Sequence, residues 1–282
     1  MTQPIVQMTM TRDELFLLED LIPIWTEHAD GFVFMLDNCT DGTYEFLMDN
    51  KEKYNILSVL TTGLKDEDHR QENSMRQTLF NEARKFTGKI TCLDTDEYFD
   101  GQLSKDDLHL FMDHHPNVAT FLKWVQYTDT NKVRSDGPWL GAAQDRFCNY
   151  TVPIEFLDKQ RHAEHIPRNG LQTQHLEVPG LWISHLQWLD VPTVAVKQYY
   201  WKVTDYVTNL LIGVDIVECK AYDESVNDFN WTTLDVPYPL KVSPDIYKKV
   251  KLEETYKYKE IKKLIKQYDV PNLGDWGMNI HE

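Results

Sequence analysis

The chain has 282 residues, 29 of them basic and 45 acidic, for a formal charge of −16. That balance argues against a protein held on nucleic acid or anionic lipid by a basic face, with a local basic patch around Lys248, Lys249 and Lys251 and from Lys257 to Lys266 as the alternative site for a membrane surface. Apolar residues at 41% and aromatics at 12% exclude a disordered chain and supply a core for one large or two small domains.

No stretch reaches the roughly 18 apolar residues of a membrane span, so no transmembrane segment is expected. The best run, residues 210–214, stops at Asp215. The N-terminus lacks the basic and apolar regions of a secretory signal. Cys39, Cys92, Cys148 and Cys219 form no CxxC pair. This predicts reduced thiols and a cytoplasmic location, the host cytoplasm for a viral chain.

In chain order, Ile5 to Met10 reads as a strand, and Glu14 to His28 has helical apolar spacing, with Pro23 as a bend. The run Phe32 to Leu36 reads as a buried parallel strand. Asn38 to Thr43 is turn chemistry, with Asp41 or Thr43 capping a helix to Lys53. Ile56 to Leu60 is a strand, residues 68–86 are helical, and Lys89 to Leu93 is a strand ending in Asp94-Thr95-Asp96-Glu97. Val118 to Tyr127 reads as a strand, while 135–153 and 160–179 read as long loops. Leu181 to His185 is a last strand, followed by a helix through Val194 to Val203 and a lysine-rich amphipathic helix over 244–268.

Alternating strands and helices imply an α/β domain with a mostly parallel sheet, in which ligands bind at the carboxyl ends of the strands. Two acidic turns, Asp37–Asp41 and Asp94–Glu97, follow predicted strands. Carboxylates spaced as Asp94-x-Asp96 suit Mg²⁺ or Mn²⁺, whose remaining ligands come from water and phosphate. The alternative is a solvated acidic turn. Asp37 either contacts a nucleotide or caps a helix.

Thr11-Arg12-Asp13-Glu14, Trp25 and His28 in the first helix, and Asp37-Asn38-Cys39-Thr40-Asp41-Gly42-Thr43 resemble the family 2-like glycosyltransferases with a GT-A fold. Leu93-Asp94-Thr95-Asp96-Glu97-Tyr98-Phe99 is similar to that family's metal-binding motif. Ser184-His185-Leu186-Gln187-Trp188 and Lys197-Gln198 resemble blocks of phage and bacterial members. Asp13 stands where that family commonly has Asn, Cys39 departs from its pattern, and no Glu-Asp pair marks a base.

The resemblance implies a Rossmann-like GT-A domain over 1–215, with 1–100 binding nucleotide and 101–215 the acceptor, and a packed helical extension over 216–282. It implies transfer, with inversion, from a UDP- or GDP-sugar to a glycan or other hydroxyl acceptor. Thr11, Arg12, Asp37 and Asn38 would line the nucleotide pocket. Asp94 and Asp96 would hold the ion on the diphosphate, with His185 as a further ligand or a structural histidine.

Arg70 and Lys197 are candidate phosphate contacts or solvated helix residues. An inverting transfer needs a base; the candidates are Asp145, then Glu164 or Asp158. Trp139, Trp182 and Trp188 stack on sugars or fill the core. His162 and His165, three apart, fit a substrate-ordered loop better than a zinc site. The alternatives are a non-catalytic carbohydrate-binding or structural protein on the same scaffold, and a metal-dependent sugar-nucleotide phosphohydrolase.

Overall fold

The computed structural model describes residues 3–62, 72–118, 120–156, 164–168, 178–213 and 230–274. The chain divides into two units, Met1–Gln126 with Pro138–Leu186, and Tyr127–Gly137 with Gln187–Glu282.

Four parallel strands centre the first unit: β1 (Ile5–Thr11), β2 (Gly31–Leu36), β3 (Ile56–Thr61) and β4 (Lys89–Cys92). They lie in the order β3-β2-β1-β4, with Val6 opposite Gly31 and Ile5 opposite Lys89. All of β2 is buried, which explains its unbroken apolar sequence. The crossovers carry α1 (Leu15–Trp25), α2 (Thr43–Asp49) and α3 (Glu72–Ala83). Leu79, Phe80 and Ala83 of α3 share a core with Val6, Val33 and Ile90. Pro23 is accommodated inside α1.

The sheet continues with β8 (Ala143–Asn149), antiparallel to β4, and β6 (Thr120–Asp129), antiparallel to β8. Beside β6 runs β9 (Leu181–His185) in parallel, and β5 (Glu97–Gly101) closes against β9. Here β1 to β4, β6 and β9 run one way, and β5 and β8 run against them. This large, mostly parallel sheet flanked by helices agrees with the Rossmann-like GT-A arrangement expected.

Several elements differ from the sequence reading, among them the unexpected strand β5. Residues 143–149 form β8 rather than loop, and the unpredicted helix α4 (Lys105–His114) follows β5. Ser104 caps α4 by accepting the Asp107 N–H, and Leu108 and Met112 are its buried face.

In the second unit, the end of β6 pairs with β7 (Lys132–Arg134), and β7 with β10 (Thr233–Asp235). Helix α5 (Val191–Ile212) is longer than expected, capped by Asp190 and ended by Gly213 at φ 68°. Helix α6 (Tyr256–Tyr268) packs Ile261 and Leu264 on Val196, Tyr199 and Val203 of α5. The helix expected over 244–268 begins only at Tyr256; ahead of it, residues 246–249 and 252–254 form short 3₁₀ turns. No helix among the described residues is long and apolar enough to cross a membrane.

Candidate functional site

The carboxyl ends of β1, β2 and β3 converge on Asp37. Its N–H donates to the Thr11 carbonyl at 2.9 Å. Its carboxylate meets Arg12 Nη1 at 3.4 Å and accepts from Thr62 Oγ1 at 3.2 Å. Asn38 follows with φ 50°, turning the chain away from the strand. A cleft of about 420 Å³ opens here, lined by Leu36, Asn38, Cys39, Tyr44, Thr61 and Thr62 among others.

Asp41 organises the turn, accepting the Leu15 N–H at 2.8 Å and Thr43 Oγ1 at 2.5 Å. Ligand atoms of Asp13, Cys39 and Asp41 lie within 4.8 Å of one another. Asp13 accepts the Thr40 N–H at 2.5 Å, and burial, with Asp41, Asp13 and Glu14 nearby, pushes the Cys39 thiol up to about 12. These groups are turn chemistry with an inert thiol.

The end of β4 carries a denser cluster. Asp94 lies 3.4 Å from Arg76 Nη2, 3.0 Å from His165 Nε2 and 3.8 Å from Arg146 Nη2. The crowding of protein around Asp94 opposes its charge, but His165, Arg76 and Arg146 outweigh it and hold the carboxyl well below the usual range. Burial pushes His165 down to about 3, with Arg146 and Arg76 adding to the effect against Asp94. His165 is therefore neutral near pH 7 and donates Nε2–H to Asp94. Each arginine has a second carboxylate: Glu72 for Arg76 at 3.0 Å, and Glu97 for Arg146 at 2.6 Å.

Asp96 turns to a different partner. His185 Nε2 stands 3.3 Å from Asp96 Oδ2, and His185 Nδ1 stands 2.5 Å from Gln126 Oε1. The Gln126 amide nitrogen donates to the Trp124 carbonyl at 3.4 Å, which fixes its oxygen toward His185. An amide oxygen only accepts, so Nδ1 carries a proton, and Nε2 faces Asp96 either protonated, as half of an ion pair, or with a lone pair. Two acceptors at this distance repel unless a proton or a cation lies with them. A ring nitrogen facing a carboxylate, with the other donating to a carbonyl, serves a buried His–Asp pair and a metal-ligating histidine alike.

The surrounding charge agrees. Glu72, Asp94, Asp96 and Glu97 face two guanidiniums, a surplus of two negative charges when the imidazoles are neutral. Asp96 and His185 are the residues that would hold a hard divalent cation here. Asp94 is the neighbour: ligand atoms of Asp94, Asp96 and His185 do not all lie within 4.8 Å of one another.

Asp145 stands on β8, 3% exposed, with Arg168 Nε 3.4 Å away. Burial raises its carboxyl above the usual range, against Arg168 and Arg146. Glu164, also buried, shares Arg168 at 3.0 Å. Trp139 is half-buried, 5.8 Å from Trp124, and Trp182 is half-buried on β9. Lys197 is half-buried on α5 of the second unit. Trp188, also there, is buried with Arg134 over its ring at 4.3 Å. Arg70, Asp158, His162 and Cys219 lie outside the described residues.

The structure thus brings Thr11, Arg12, Asp37 and Asn38 together, and Asp96 with His185. It adds Arg76, Arg146, Trp124 and Gln126, which the sequence reading did not single out. Only Arg76 left a local trace, the Glu72–Arg76 spacing of an i,i+4 helix pair.

No protein-family model and no curated protein matches the sequence. Among solved structures, residues 1–349 of S. aureus TarS are similar at 15% identity and a TM-score of 0.41, over 93% of this chain and 80% of that one. A nucleoside-diphosphate-sugar pyrophosphorylase from Vibrio cholerae RC9 is similar at 14% identity and a TM-score of 0.30, over 87% and 98%. At these values neither likeness bears on this chain's chemistry, which rests on its own residues.

Proposed function

We propose that the chain is a metal-dependent glycosyltransferase that moves a sugar from a nucleoside-diphosphate donor to a hydroxyl acceptor. The observation that carries the reading is His185 Nε2 facing Asp96 at 3.3 Å, together with a strand-end cleft next to Asp37. The separation of these features into a nucleoside grip and an ion site suits a donor with a nucleoside at one end and a diphosphate at the other.

Asp37, oriented by Arg12 and Thr62, accepts a hydrogen bond from base or ribose, with Thr11 and Asn38 beside it. Asp96 and His185 would hold Mn²⁺ or Mg²⁺. The bound ion would offset charge gathering on the departing nucleoside diphosphate. Arg146 Nη1 is buried without a hydrogen-bond partner among the described residues, and its guanidinium adds positive charge beside Asp94. Asp145 is the candidate base, since a raised carboxyl is a stronger proton acceptor near neutral pH. Inversion follows from the family resemblance alone.

The test is thermal stabilisation by UDP, GDP and their sugar conjugates, with and without Mn²⁺, in the parent and in Asp94→Asn/Asp96→Asn. A ligand at 100 times its Kd adds about 2.7 kcal/mol. A metal-dependent shift with one nucleotide, lost in the double variant, supports a donor site. No shift with any nucleotide overturns it.

A further inference from the structure

Glu97 is 0% exposed, and four donors converge on its carboxylate. Oε2 accepts the Asp94 backbone N–H at 3.0 Å and Arg146 Nε at 2.9 Å. Oε1 accepts Arg146 Nη2 at 2.6 Å and the Trp124 indole N–H at 2.8 Å. A carboxylate offers about four lone-pair sites, so Glu97 has none left for an ion or a substrate. Its backbone is equally engaged: its N–H donates to the Asp94 carbonyl at 3.1 Å, and its carbonyl accepts the Trp25 indole N–H at 2.8 Å.

Two lines of contact run outward from this saturated group. One reaches Asp94, directly through its N–H and indirectly through Arg146, 3.8 Å from the Asp94 carboxylate. The other reaches Asp96 through Trp124, which stacks on His185 with centroids 4.5 Å apart and planes at 21°. Glu97 therefore touches the holders of both carboxylates of the Asp94–Asp96 turn.

The backbone is also shaped for this contact. On the β6–β8 pairing, Thr120 lies opposite Phe147 and Phe121 opposite Asp145, so Arg146 is an extra residue with no partner across the ladder. Bulges of this kind re-aim a side chain, and here the re-aimed side chain grips Glu97. A buried ion pair adds little stability over well-packed apolar residues of the same volume. Its presence here is better accounted for by position than by stability.

We propose that Glu97 is a positioning residue of the ion site. It sets the Asp94–Asp96 turn and, through the Trp124 indole, the plane of the His185 ring, while contacting neither ion nor donor. The inference rests on the metal-dependent reading above.

The test is Mn²⁺ affinity of the full chain, measured from the free-ion paramagnetic resonance signal, with Mn²⁺ alone and with UDP or GDP added. The parent is compared with Glu97→Gln, Trp124→Phe, their double variant and Asp96→Asn. Glu97→Gln is expected to weaken Mn²⁺ about tenfold or more while keeping a cooperative melt, as removal of a group behind a metal ligand does. Trp124→Phe keeps a ring against His185 but loses the bond to Glu97, so it weakens Mn²⁺ by a smaller factor.

Because both act through one chain of contacts, the double variant should bind no more weakly than Glu97→Gln, rather than by the product of the two losses. Loss of Mn²⁺ affinity at an unchanged melting temperature separates this from a merely structural role, in which affinity and stability fall together. If Glu97→Gln fails to fold, Trp124→Phe alone must still lose Mn²⁺ affinity at unchanged melting temperature. Parent-like Mn²⁺ binding in the Glu97 and Trp124 variants, with binding lost in Asp96→Asn, overturns the positioning role and leaves the metal site standing. A parent that binds no Mn²⁺ under either condition overturns the metal-dependent reading and this inference with it.

Discussion

His185 faces Asp96 at 3.3 Å through one ring nitrogen and meets the Gln126 amide oxygen at 2.5 Å through the other. The two contacts are not independent. Gln126 accepts the Nδ1 proton, and that choice leaves Nε2 for Asp96. Gln126→Leu frees that choice and is expected to weaken Mn²⁺ binding by about 10–100-fold, with the stacked ring still in place. Titration of the free Mn²⁺ signal measures it. Unchanged affinity would mean that His185 takes no part in holding the ion.

Under the proposed function, Asp37 is the corresponding node at the nucleoside end. Its contacts with Arg12 and Thr62 orient the carboxylate, while the neighbouring cleft leaves room for a ligand. A hydrogen bond to a charged group contributes about 1.5–3 kcal/mol. Asp37→Asn should therefore weaken nucleoside-diphosphate binding by about ten- to a hundredfold in calorimetric titration. The melting temperature should move little, because partly exposed ion pairs add little stability. Equal affinity in parent and variant would remove Asp37 from the binding site.

Gly101 ends β5 with φ 128°, and a Cβ built there would come within 2.0 Å of the Gly180 carbonyl oxygen. The Gln102 N–H donates to that same oxygen at 2.8 Å, so the carbonyl cannot withdraw without losing its bond. Gly101→Ala combines a disfavoured φ with a backbone clash and should cost about 3 kcal/mol or more. At roughly 2–4 °C per kcal/mol for a chain of this size, calorimetry should find a melting temperature lower by about 6–12 °C. A loss below about 2 °C would mean that the β5–β9 pairing shifts freely.

The parallel core was legible because strands covered on both faces must be apolar throughout, as Phe32 to Leu36 are. The turns after them were legible because Asp41 and the Asp94–Asp96 pair are local chemistry. Strand β8 was not. Its Gln144-Asp145-Arg146 reads as solvent-facing, yet Asp145 and Arg146 are 3% and 1% exposed. Their burial is compensated by Arg168 and Glu97, residues far along the chain that no local window contains. Helix α4 was hidden for a related reason: Lys105, Asp106 and Asp107 surround an apolar face carried chiefly by Leu108 and Met112. The roles of Arg76 and Gln126 exist only once α3 packs beside the end of β4 and β6 pairs with β9.

Asp30 ties the start of β1 to α4. Its carboxylate accepts the Ile5 N–H at 2.8 Å and lies 2.9 Å from His109 Nε2 and 3.1 Å from Lys105 Nζ. Burial works to raise this carboxyl, but the Ile5 N–H, Lys105 and His109 together leave it below the ordinary range. A carboxyl lowered in the folded state stabilises the fold above its unfolded pKa of about 3.9. That contribution fades as the pH falls through the folded value. Asp30→Asn should therefore melt below the parent at pH 7, and the gap should narrow steadily below about pH 4. Melting curves of both proteins from pH 7 to pH 3 measure it. A gap that stays constant over that range would show that the carboxylate's charge is not what the contacts stabilise, and that the amide serves β1 and α4 no worse in acid than at neutrality.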